Sequence, residues 1–193
     1  MKNWFGMETK LAEEIDKEKY RQNGEDFYTK CVRIADALKD NQLHFEYFKD
    51  MLLNQRFLPA GRVQNAMGAS RMTTAFNCFV SGKIEDSMDS IMHRATEAAE
   101  TMRKGGGIGY DFSRLRPRGD LIKSLDSRSS GVVSFMGIYD AICQTIASSG
   151  HRRGAQMGVL RIDHPDIESF ITAKKNSTTL TGFNISVGVT DEF

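Results

Sequence analysis

Residues 102–119 read MRKGGGIGYDFSRLRPRG and join two different periodic patterns through three consecutive glycines. Residues 86–104, before the glycines, have apolar side chains at helical spacing, with Asp86 or Ser87 as the helix cap. The predicted inward face of this helix comprises Met88, Ile91, Met92, Ala95, Ala98, Ala99 and Met102. Residues 108–115, after the glycines, predict a strand. Helix, glycines and strand in this order indicate one step of an alternating α/β fold.

The order of these elements argues against the two common phosphate-binding loops. A Walker loop needs a lysine and a hydroxyl after its glycines, whereas Lys104 precedes them. The dinucleotide fingerprint needs a strand before its glycines and a helix after them. Two interpretations remain open. Either Gly105 ends the helix with a positive φ and its neighbours allow a tight turn, or the surplus glycines let a ligand approach the strand backbone.

The first 55 residues predict helices. Residues 25–40 and 42–56 carry apolar side chains at helical spacing, namely Phe27, Cys31, Ile34, Ala35 and Leu38, then Leu43, Tyr47, Met51 and Leu52. Cys31 is then a core residue. The next segment, FLPAGRVQNAMGAS at residues 57–70, contains Pro59, Gly61 and Gly68 and predicts loop with short extended pieces.

From Thr73 onward, predicted strands alternate with predicted helices. Strands are predicted within residues 73–82, 150–163 and 182–193, and helices within residues 132–150 and 164–175. Residues 116–131 predict a polar loop, and Cys143 lies on the apolar face of a helix. The pattern predicts an α/β sheet or part of a barrel behind a helical N-terminal region.

Composition limits the classes of function. The 193 residues include 26 basic and 25 acidic side chains, so no overall charge favours a nucleic-acid polymer or an acidic membrane surface. No apolar run is long enough for a membrane span or a signal peptide, and a cytoplasmic location is the expectation. The three cysteines and four histidines show no zinc-ligand spacing, so no metal site is expected, and the histidines are predicted to be surface or capping residues.

Four separated motifs carry a family resemblance. In chain order they are FNCFVSGKIEDSMDSI, KGGGIGYDFSRLRPRGD, SSGHRRGAQMGVLRIDHPDIESFI and FNISVGVTDEF. Their order and spacing resemble the N-terminal half of the catalytic subunit of ribonucleotide reductases, with the adenosylcobalamin-dependent class II form as the nearest match. The resemblance covers about residues 56–193. Residues 1–55 resemble only a generic helical region that precedes the barrel in the family, without a recognisable ATP-cone sequence.

The resemblance implies two domains, a helical region at residues 1–55 and the incomplete first part of a ten-stranded α/β barrel at residues 56–193. In this family a cysteine thiyl radical removes the ribose 3′ hydrogen, and a cysteine pair supplies the electrons that replace the 2′-hydroxyl. By its motif, Cys78 corresponds to the first cysteine of that reducing pair. Its partner lies on a later strand in the family, and Cys31 and Cys143 are poor candidates for it.

The resemblance also implies ligand-binding residues. It sets Asn77 and Gly107 against the ribonucleotide substrate, although family members often carry Ser where Asn77 stands. Ala60 and Gly61 of LPAGR fall near the substrate phosphate. Arg153, in the second specificity loop at residues 151–156, is the expected further substrate contact.

For the allosteric effector, a dNTP or ATP, the resemblance implies a second set of residues. Asp86 would hold the effector ribose, with Ser87 beside it. Arg116, in the first specificity loop, would face the effector phosphate, since its planar guanidinium group donates two hydrogen bonds at once. Asp86 also satisfies the requirements of a helix cap, and both roles stay open.

The family's radical cysteine, in an NPCGE-type motif, has no counterpart in the printed sequence. The chain alone is therefore expected to be inactive and to need a complementing C-terminal chain or segment, adenosylcobalamin and a thioredoxin-type reductant. An incomplete barrel exposes sheet edges, so a homo-oligomer is also expected. The choice between diphosphate and triphosphate substrates, and between class II and class I, stays open.

Two other functions remain as alternatives. The chain could be a non-catalytic dNTP-binding or regulatory fragment that keeps the specificity site, or a purely structural α/β domain.

Overall fold

The computed structural model describes residues 6–146, 155–175 and 178–193. The chain divides into two compact units, Met1–Asn77 and Cys78–Phe193. The predicted boundary at residues 55 and 56 remains a prediction about domain organisation. In the structure, the helix that follows that boundary belongs to the first unit and contacts another helix of that unit.

The first unit contains four helices in its described part: α1 (Lys10–Lys19), α2 (Phe27–Leu38), α3 (Gln42–Leu53) and α4 (Gly61–Ala66). Side chains of Thr9, Asp26 and Asn41 cap the first three, and Asp26 forms a reciprocal capping box with Thr29. The helices predicted for residues 25–56 are confirmed. Their core contains the buried residues Phe27, Cys31, Ile34, Ala35, Leu52 and Leu53.

The predicted apolar faces of the first unit are wrong in part. Leu38, Leu43 and Tyr47 are exposed, by 41%, 70% and 66% respectively. Phe45 and Phe48 of α3 pack against the core instead. Apolar side chains surround much of α3, so helical spacing alone does not select the face that the rest of the unit covers.

The prediction of loop and extended structure at residues 57–70 is also wrong in part, because α4 forms at Gly61–Ala66. One bond close in sequence and one contact distant in sequence hold this helix in place. The Gln64 side chain is buried and donates from Nε2 to the Pro59 carbonyl at 2.8 Å. A Cβ on Gly61 would meet the Tyr20 ring at 2.8 Å, so this close approach requires glycine.

A buried polar network joins α1, α2 and α4. The Lys30 ammonium pairs with Asp16 and donates to Gln64 Oε1 at 3.2 Å. Arg21 Nε donates to the other Asp16 carboxylate oxygen at 2.7 Å. Because the Lys30 and Asp16 side chains are only 2% and 1% exposed, each charge depends on its partners for stabilisation.

The second unit is built on a parallel sheet of four strands in the order β1-β2-β5-β6. The strands are β1 (Cys78–Val80), β2 (Gly107–Asp111), β5 (Gln156–Arg161) and β6 (Phe183–Gly188). The helices are α5 (Met88–Arg103), α6 (Val132–Thr145) and α7 (Ile167–Thr172). A separate antiparallel ribbon consists of β3 (Leu121–Ile122) and β4 (Ser127–Arg128). The predicted alternation of strands and helices is confirmed.

One face of the sheet is packed against helices, and the other face is largely exposed. Alternate residues such as Ile108, Tyr110, Leu160 and Phe183 belong to the buried core that includes α5, α6 and α7. The other face carries Cys78, Val80, Gly107, Gly109 and Met157. Val80 is 93% exposed and Met157 is 42% exposed. We call this second surface the open face of the sheet.

The three consecutive glycines have three different positions. Gly105 has φ +86°, and its N–H donates to the Met102 carbonyl while the N–H of Gly106 donates to the Thr101 carbonyl. These two bonds form a Schellman motif that ends α5. Gly107 begins β2 on the open face, opposite Cys78. The predicted helix end at Gly105 is confirmed.

We expect Gly106→Ala to destabilise the protein by about 1–3 kcal/mol, since overpacking forces rigid neighbours to move. An added Cβ would lie 2.7 Å from the Phe79 ring and 2.9 Å from Thr101. Gly109→Ala is the matched control, because the nearest atom to its Cβ is 3.7 Å away. Urea unfolding of both variants tests this. Equal effects at the two positions would contradict the packing argument.

Several predictions for the second unit are wrong in detail. Residues 116–131 contain the β3–β4 ribbon, whose pairing the polar sequence does not reveal. Met88 and Met92 are exposed by 60% and 43% and Ile171 by 50%, so only part of each predicted apolar face is buried. His164 is buried, so of its two predicted roles, surface and capping, only the capping role fits: Nδ1 accepts from the Asp166 N–H. Helix α6 ends at Thr145, and the predicted end at Gly150 lies outside the described residues.

Candidate functional site

The thiol of Cys78 lies at the amino end of the parallel sheet, on its open face. Cys78 is the first residue of β1, is exposed and is a free cysteine. The strand register places it opposite Gly107, the first residue of β2. A glycine beside this thiol leaves the neighbouring strand backbone uncovered by a side chain. The structure therefore brings together two of the predicted site residues, Cys78 and Gly107.

The other two cysteines have a different environment. Cys31 and Cys143 are both buried. Burial raises the pKa of the Cys31 thiol to about 11 and also raises the pKa of the Cys143 thiol. Since the thiolate is the reactive form, these two thiols are protected by both burial and protonation. Cys78 is the accessible thiol of the described part of the chain.

The remaining predicted substrate residues are distributed along the chain. Asn77 is exposed and directly precedes β1. Ala60 is exposed at the N-cap of α4, and Gly61 is the first residue of that helix. Ala60, Gly61 and Asn77 belong to the first unit. Arg153 lies outside the described residues.

The predicted second specificity loop has two described residues, Ala155 and Gln156, which lead into the sheet, and Gln156 is the first residue of β5. Its side chain is buried, with Oε1 accepting from the Tyr110 hydroxyl at 2.8 Å and Nε2 donating to the Tyr139 carbonyl at 3.0 Å. Burial raises the pKa of both tyrosines. Gln156 therefore stabilises the interior of the second unit at the start of β5.

A pocket of about 530 Å³ lies beside the amino end of α5. The three residues predicted for the effector, Asp86, Ser87 and Arg116, all line it. Its other lining residues are Met88, Ile91, Ile122, Ser124, Leu125, Arg128, Ser129, Ser130 and Phe135. We call this cavity the α5 pocket. One side of it comes from α5 and α6, and the other from the segment that contains the ribbon.

Within the α5 pocket, two of the residues predicted to contact the effector form an ion pair with each other. Arg116 Nε donates to Asp86 Oδ2 at 2.6 Å, and Arg116 Nη1 donates to the Leu121 carbonyl at 3.2 Å. The two charged side chains are 31% and 34% exposed, so the pair is accessible to solvent. Ser87, and not Asp86, caps α5 by accepting from the Ser90 N–H. The Asp86 carboxylate is therefore not used to cap α5, and both of its oxygens accept from Arg116.

The chemistry of the α5 pocket suits an anion attached to an apolar group. Arg116 and Arg128 contribute two cations and Asp86 one anion, and the positive end of the α5 dipole lies at the same place. Leu125, Phe135 and other apolar side chains form the remaining wall. Sequence reasoning missed Arg128 and Leu125, which lie in a segment that resembles a polar loop. Only the ribbon pairing brings them to the pocket.

A family model described as ribonucleotide reductase, barrel domain, matches residues 76–193. The chain belongs to the ribonucleotide reductase barrel-domain family. Its matched region begins two residues before Cys78 and includes the whole parallel sheet of the second unit. The predicted family and α/β fold class are confirmed.

Several curated relatives of this chain are named as vitamin B12-dependent enzymes. The vitamin B12-dependent ribonucleoside-diphosphate reductase of Mycobacterium tuberculosis (strain H37Rv) is 46% identical over 149 residues, covering 77% of this chain and 21% of that protein. The corresponding protein of Thermoplasma acidophilum is 40% identical over 148 residues, covering 76% of this chain and 19% of that protein. The chain spans about a fifth of the length of these relatives.

A solved structure supports the fold. The class Id ribonucleotide reductase alpha subunit of Actinobacillus ureae matches 98% of this chain and 35% of its own, with a TM-score of 0.83 and 21% sequence identity. Within the described residues, no helix has the length and apolarity needed to cross a membrane. The same residues contain no group of three or more His, Cys, Asp or Glu arranged to hold a metal ion.

Proposed function

We propose that this chain is the N-terminal catalytic segment of a ribonucleotide reductase that converts ribonucleotides to deoxyribonucleotides by thiyl-radical chemistry. The observation that carries the proposal is the exposed Cys78 thiol on the open face, opposite Gly107. A complementing C-terminal part would supply the radical cysteine and the remaining strands. The complete enzyme would then cover the open face and enclose the substrate.

The proposed role of Cys78 is that of a two-electron donor together with a second cysteine. The two thiols lose two electrons and two protons and form one S–S bond. The substrate takes up these two electrons and two protons. Its 2′-hydroxyl leaves as water, and a hydrogen replaces it at that carbon. The partner must approach within about 7 Å between Cα atoms. A thioredoxin-type reductant would return the disulfide to two thiols.

Asn77, Gly107, Ala60, Gly61 and Arg153 are proposed to hold the substrate. Adenosylcobalamin is proposed as the radical source in the complete enzyme, because the names of the relatives give vitamin B12 dependence. When bound, it would supply the radical to the radical cysteine of the complementing C-terminal part. None of the described residues of this chain is assigned to its binding.

Complementation tests this proposal. The chain, mixed with the C-terminal part of a vitamin B12-dependent relative, is expected to reduce ribonucleotides in the presence of adenosylcobalamin and dithiothreitol. Each part alone is expected to be inactive. An assembled, cobalamin-bound complex that shows no turnover with any ribonucleoside diphosphate or triphosphate would refute it.

A second candidate function is regulatory nucleotide binding without catalysis. The observation in its favour is the α5 pocket, with its two arginines, one carboxylate and apolar wall. In the reductase, the same pocket is proposed to bind the allosteric dNTP or ATP, with Asp86 and Ser87 at the ribose and Arg116 at phosphate. Nucleotide binding by the chain alone, without any complementing part that restores turnover, would favour the regulatory function.

Titration with dATP, dGTP and dTTP measures this binding. A nucleotide at 100 times its dissociation constant should stabilise the protein by about 2.7 kcal/mol. Arg116→Gln is expected to weaken binding by about tenfold or more, because a charged hydrogen bond to phosphate is lost. Arg114→Gln is the matched control, since Arg114 pairs with Glu85 at 2.8 Å and is not among the lining residues. Equal losses for the two variants would contradict the assignment.

A further inference from the structure

Asp166 stabilises a helix other than its own. It occupies the N-cap position of α7, where an aspartate commonly accepts from that helix, yet its side chain makes no such bond. Instead, Asp166 Oδ2 accepts from the Val132 N–H, the first residue of α6, at 3.0 Å. The N-cap of α6 is Gly131, which has no side chain to serve this purpose. Asp166 therefore provides the cap that α6 lacks.

The same carboxylate also binds the other end of the segment that precedes α6. Both oxygens of Asp166 accept from the Arg118 N–H, at 3.0 Å and 3.1 Å. Arg118 and Val132 are 14 positions apart and enclose the β3–β4 ribbon. One buried carboxylate thus holds the entry and the exit of the ribbon segment together.

His164 adds a second anchor to the entry of this segment. Its Nδ1 accepts from the Asp166 N–H at 3.0 Å, which places the ring proton on Nε2. Nε2 then donates to the Leu115 carbonyl at 2.7 Å. The imidazole is buried between these two partners. His164 therefore connects the Asp166 backbone to the residue directly before Arg116.

The anchored segment forms a large part of the α5 pocket. Residues 116–131, which we call the wall segment, include Arg116, Ile122, Ser124, Leu125, Arg128, Ser129 and Ser130 among the lining residues. Inside the wall segment, Gly119 and Ser129 form a backbone bond at 2.9 Å, and Arg128 donates to the Gly119 carbonyl at 2.7 Å. Neither His164 nor Asp166 is among the residues that line the pocket.

Glycine at position 131 is part of the same arrangement. Its φ is +83°, a region that favours glycine. A Cβ at this position would lie 2.7 Å from Asp166 Oδ2 and 2.6 Å from the Arg118 Cβ. The approach of the carboxylate to both backbone N–H groups therefore depends on the absence of a side chain here.

We propose that Asp166 and His164 are positioning residues for the α5 pocket: they fix both ends of the wall segment, so that nucleotide affinity depends on two side chains the nucleotide does not touch. This inference rests on the proposed nucleotide-binding function of the pocket. Its physical basis is that a buried N–H without an acceptor carries a large penalty. Without Asp166, the wall segment relieves that penalty by moving toward solvent, and Arg116 and Arg128 move with it.

The test compares Asp166→Asn and Asp166→Ala with Glu168→Gln. Glu168 is exposed on the first turn of the same helix, so the control removes the same charge without touching the wall segment. Two measurements are made on the full chain and on the complemented enzyme: amide hydrogen exchange, and dissociation constants for dATP, dGTP and dTTP. Asp166→Asn keeps the shape of the side chain and remains informative if Asp166→Ala fails to fold.

Asp166→Asn is expected to weaken the binding of each nucleotide by about tenfold, with a larger loss for Asp166→Ala. Amides of residues 116–132 should exchange faster, while those of β2 and β5 stay protected. Glu168→Gln should remain within about twofold of wild type. In the complemented enzyme, the KM for substrate without effector should not change, which a general loss of structure would not allow.

Two outcomes would overturn the inference in distinguishable ways. If the wild type binds a nucleotide and both Asp166 variants bind it equally well, the positioning role is wrong and the nucleotide function stands. If the wild-type complemented enzyme binds none of the three nucleotides, the nucleotide function of the pocket is wrong and the inference fails with it.

Discussion

We expect Cys78→Ser to lower nucleotide reduction by the complemented enzyme by about 1,000-fold or more, with no loss of folded structure. Serine retains the size and polarity of cysteine but cannot form the disulfide that supplies the two electrons. The fold should be unaffected because Cys78 is exposed at the start of β1. The measurement is deoxyribonucleotide formation in a single turnover, started from the reduced enzyme without external reductant.

Cys143→Ala is the control for this prediction. Cys143 is buried on α6, so the substitution removes a thiol from the same unit without touching the open face. It should retain turnover, apart from a modest loss of stability. Full single-turnover activity in Cys78→Ser would show that Cys78 is not a reducing thiol of this enzyme.

We expect Lys30→Met to destabilise the first unit by about 3 kcal/mol, because breaking a buried ion pair leaves the other charge short of a partner. Asp16 would keep only its bond from Arg21, while Gln64 Oε1 would lose the Lys30 ammonium. The measurement is urea unfolding followed by far-ultraviolet circular dichroism.

Lys39→Met is the matched control for Lys30→Met. Lys39 pairs with Asp36 three positions earlier, with side chains 39% and 60% exposed, so the loss should stay below about 1 kcal/mol. The double variant Lys30→Met with Asp16→Asn should recover part of the lost stability, because the asparagine oxygen can still accept from Arg21. Similar effects at Lys30 and Lys39 would contradict the importance of the buried network.

Much of the second unit was predictable because its signals are local. Helix α5 has an N-cap serine, apolar side chains at helical spacing and a glycine at its end, and all three act within a few residues. Strand β6 follows strict alternation from Phe183 to Gly188. Such patterns depend on backbone geometry, so the sequence is sufficient to indicate them.

The polar contacts that shape the candidate sites were not predictable in this way. The sequence resemblance indicates Asp86 and Arg116 as effector residues but does not reveal that they form an ion pair 30 positions apart. Nor does it reveal that Arg128 reaches the same pocket through the β3–β4 ribbon. These contacts form only when the chain is folded.

The sequence by itself determined the family, the alternation of helices and strands, and the choice of Cys78 as the thiol of interest. Tertiary structure alone decided which faces are buried, that α4 is helical, and that Asp166 caps α6. The physical reason is the range of the interactions. Periodicity and capping act between residues a few positions apart, whereas the side-chain bonds of Lys30 and Asp166 join residues between 14 and 48 positions apart.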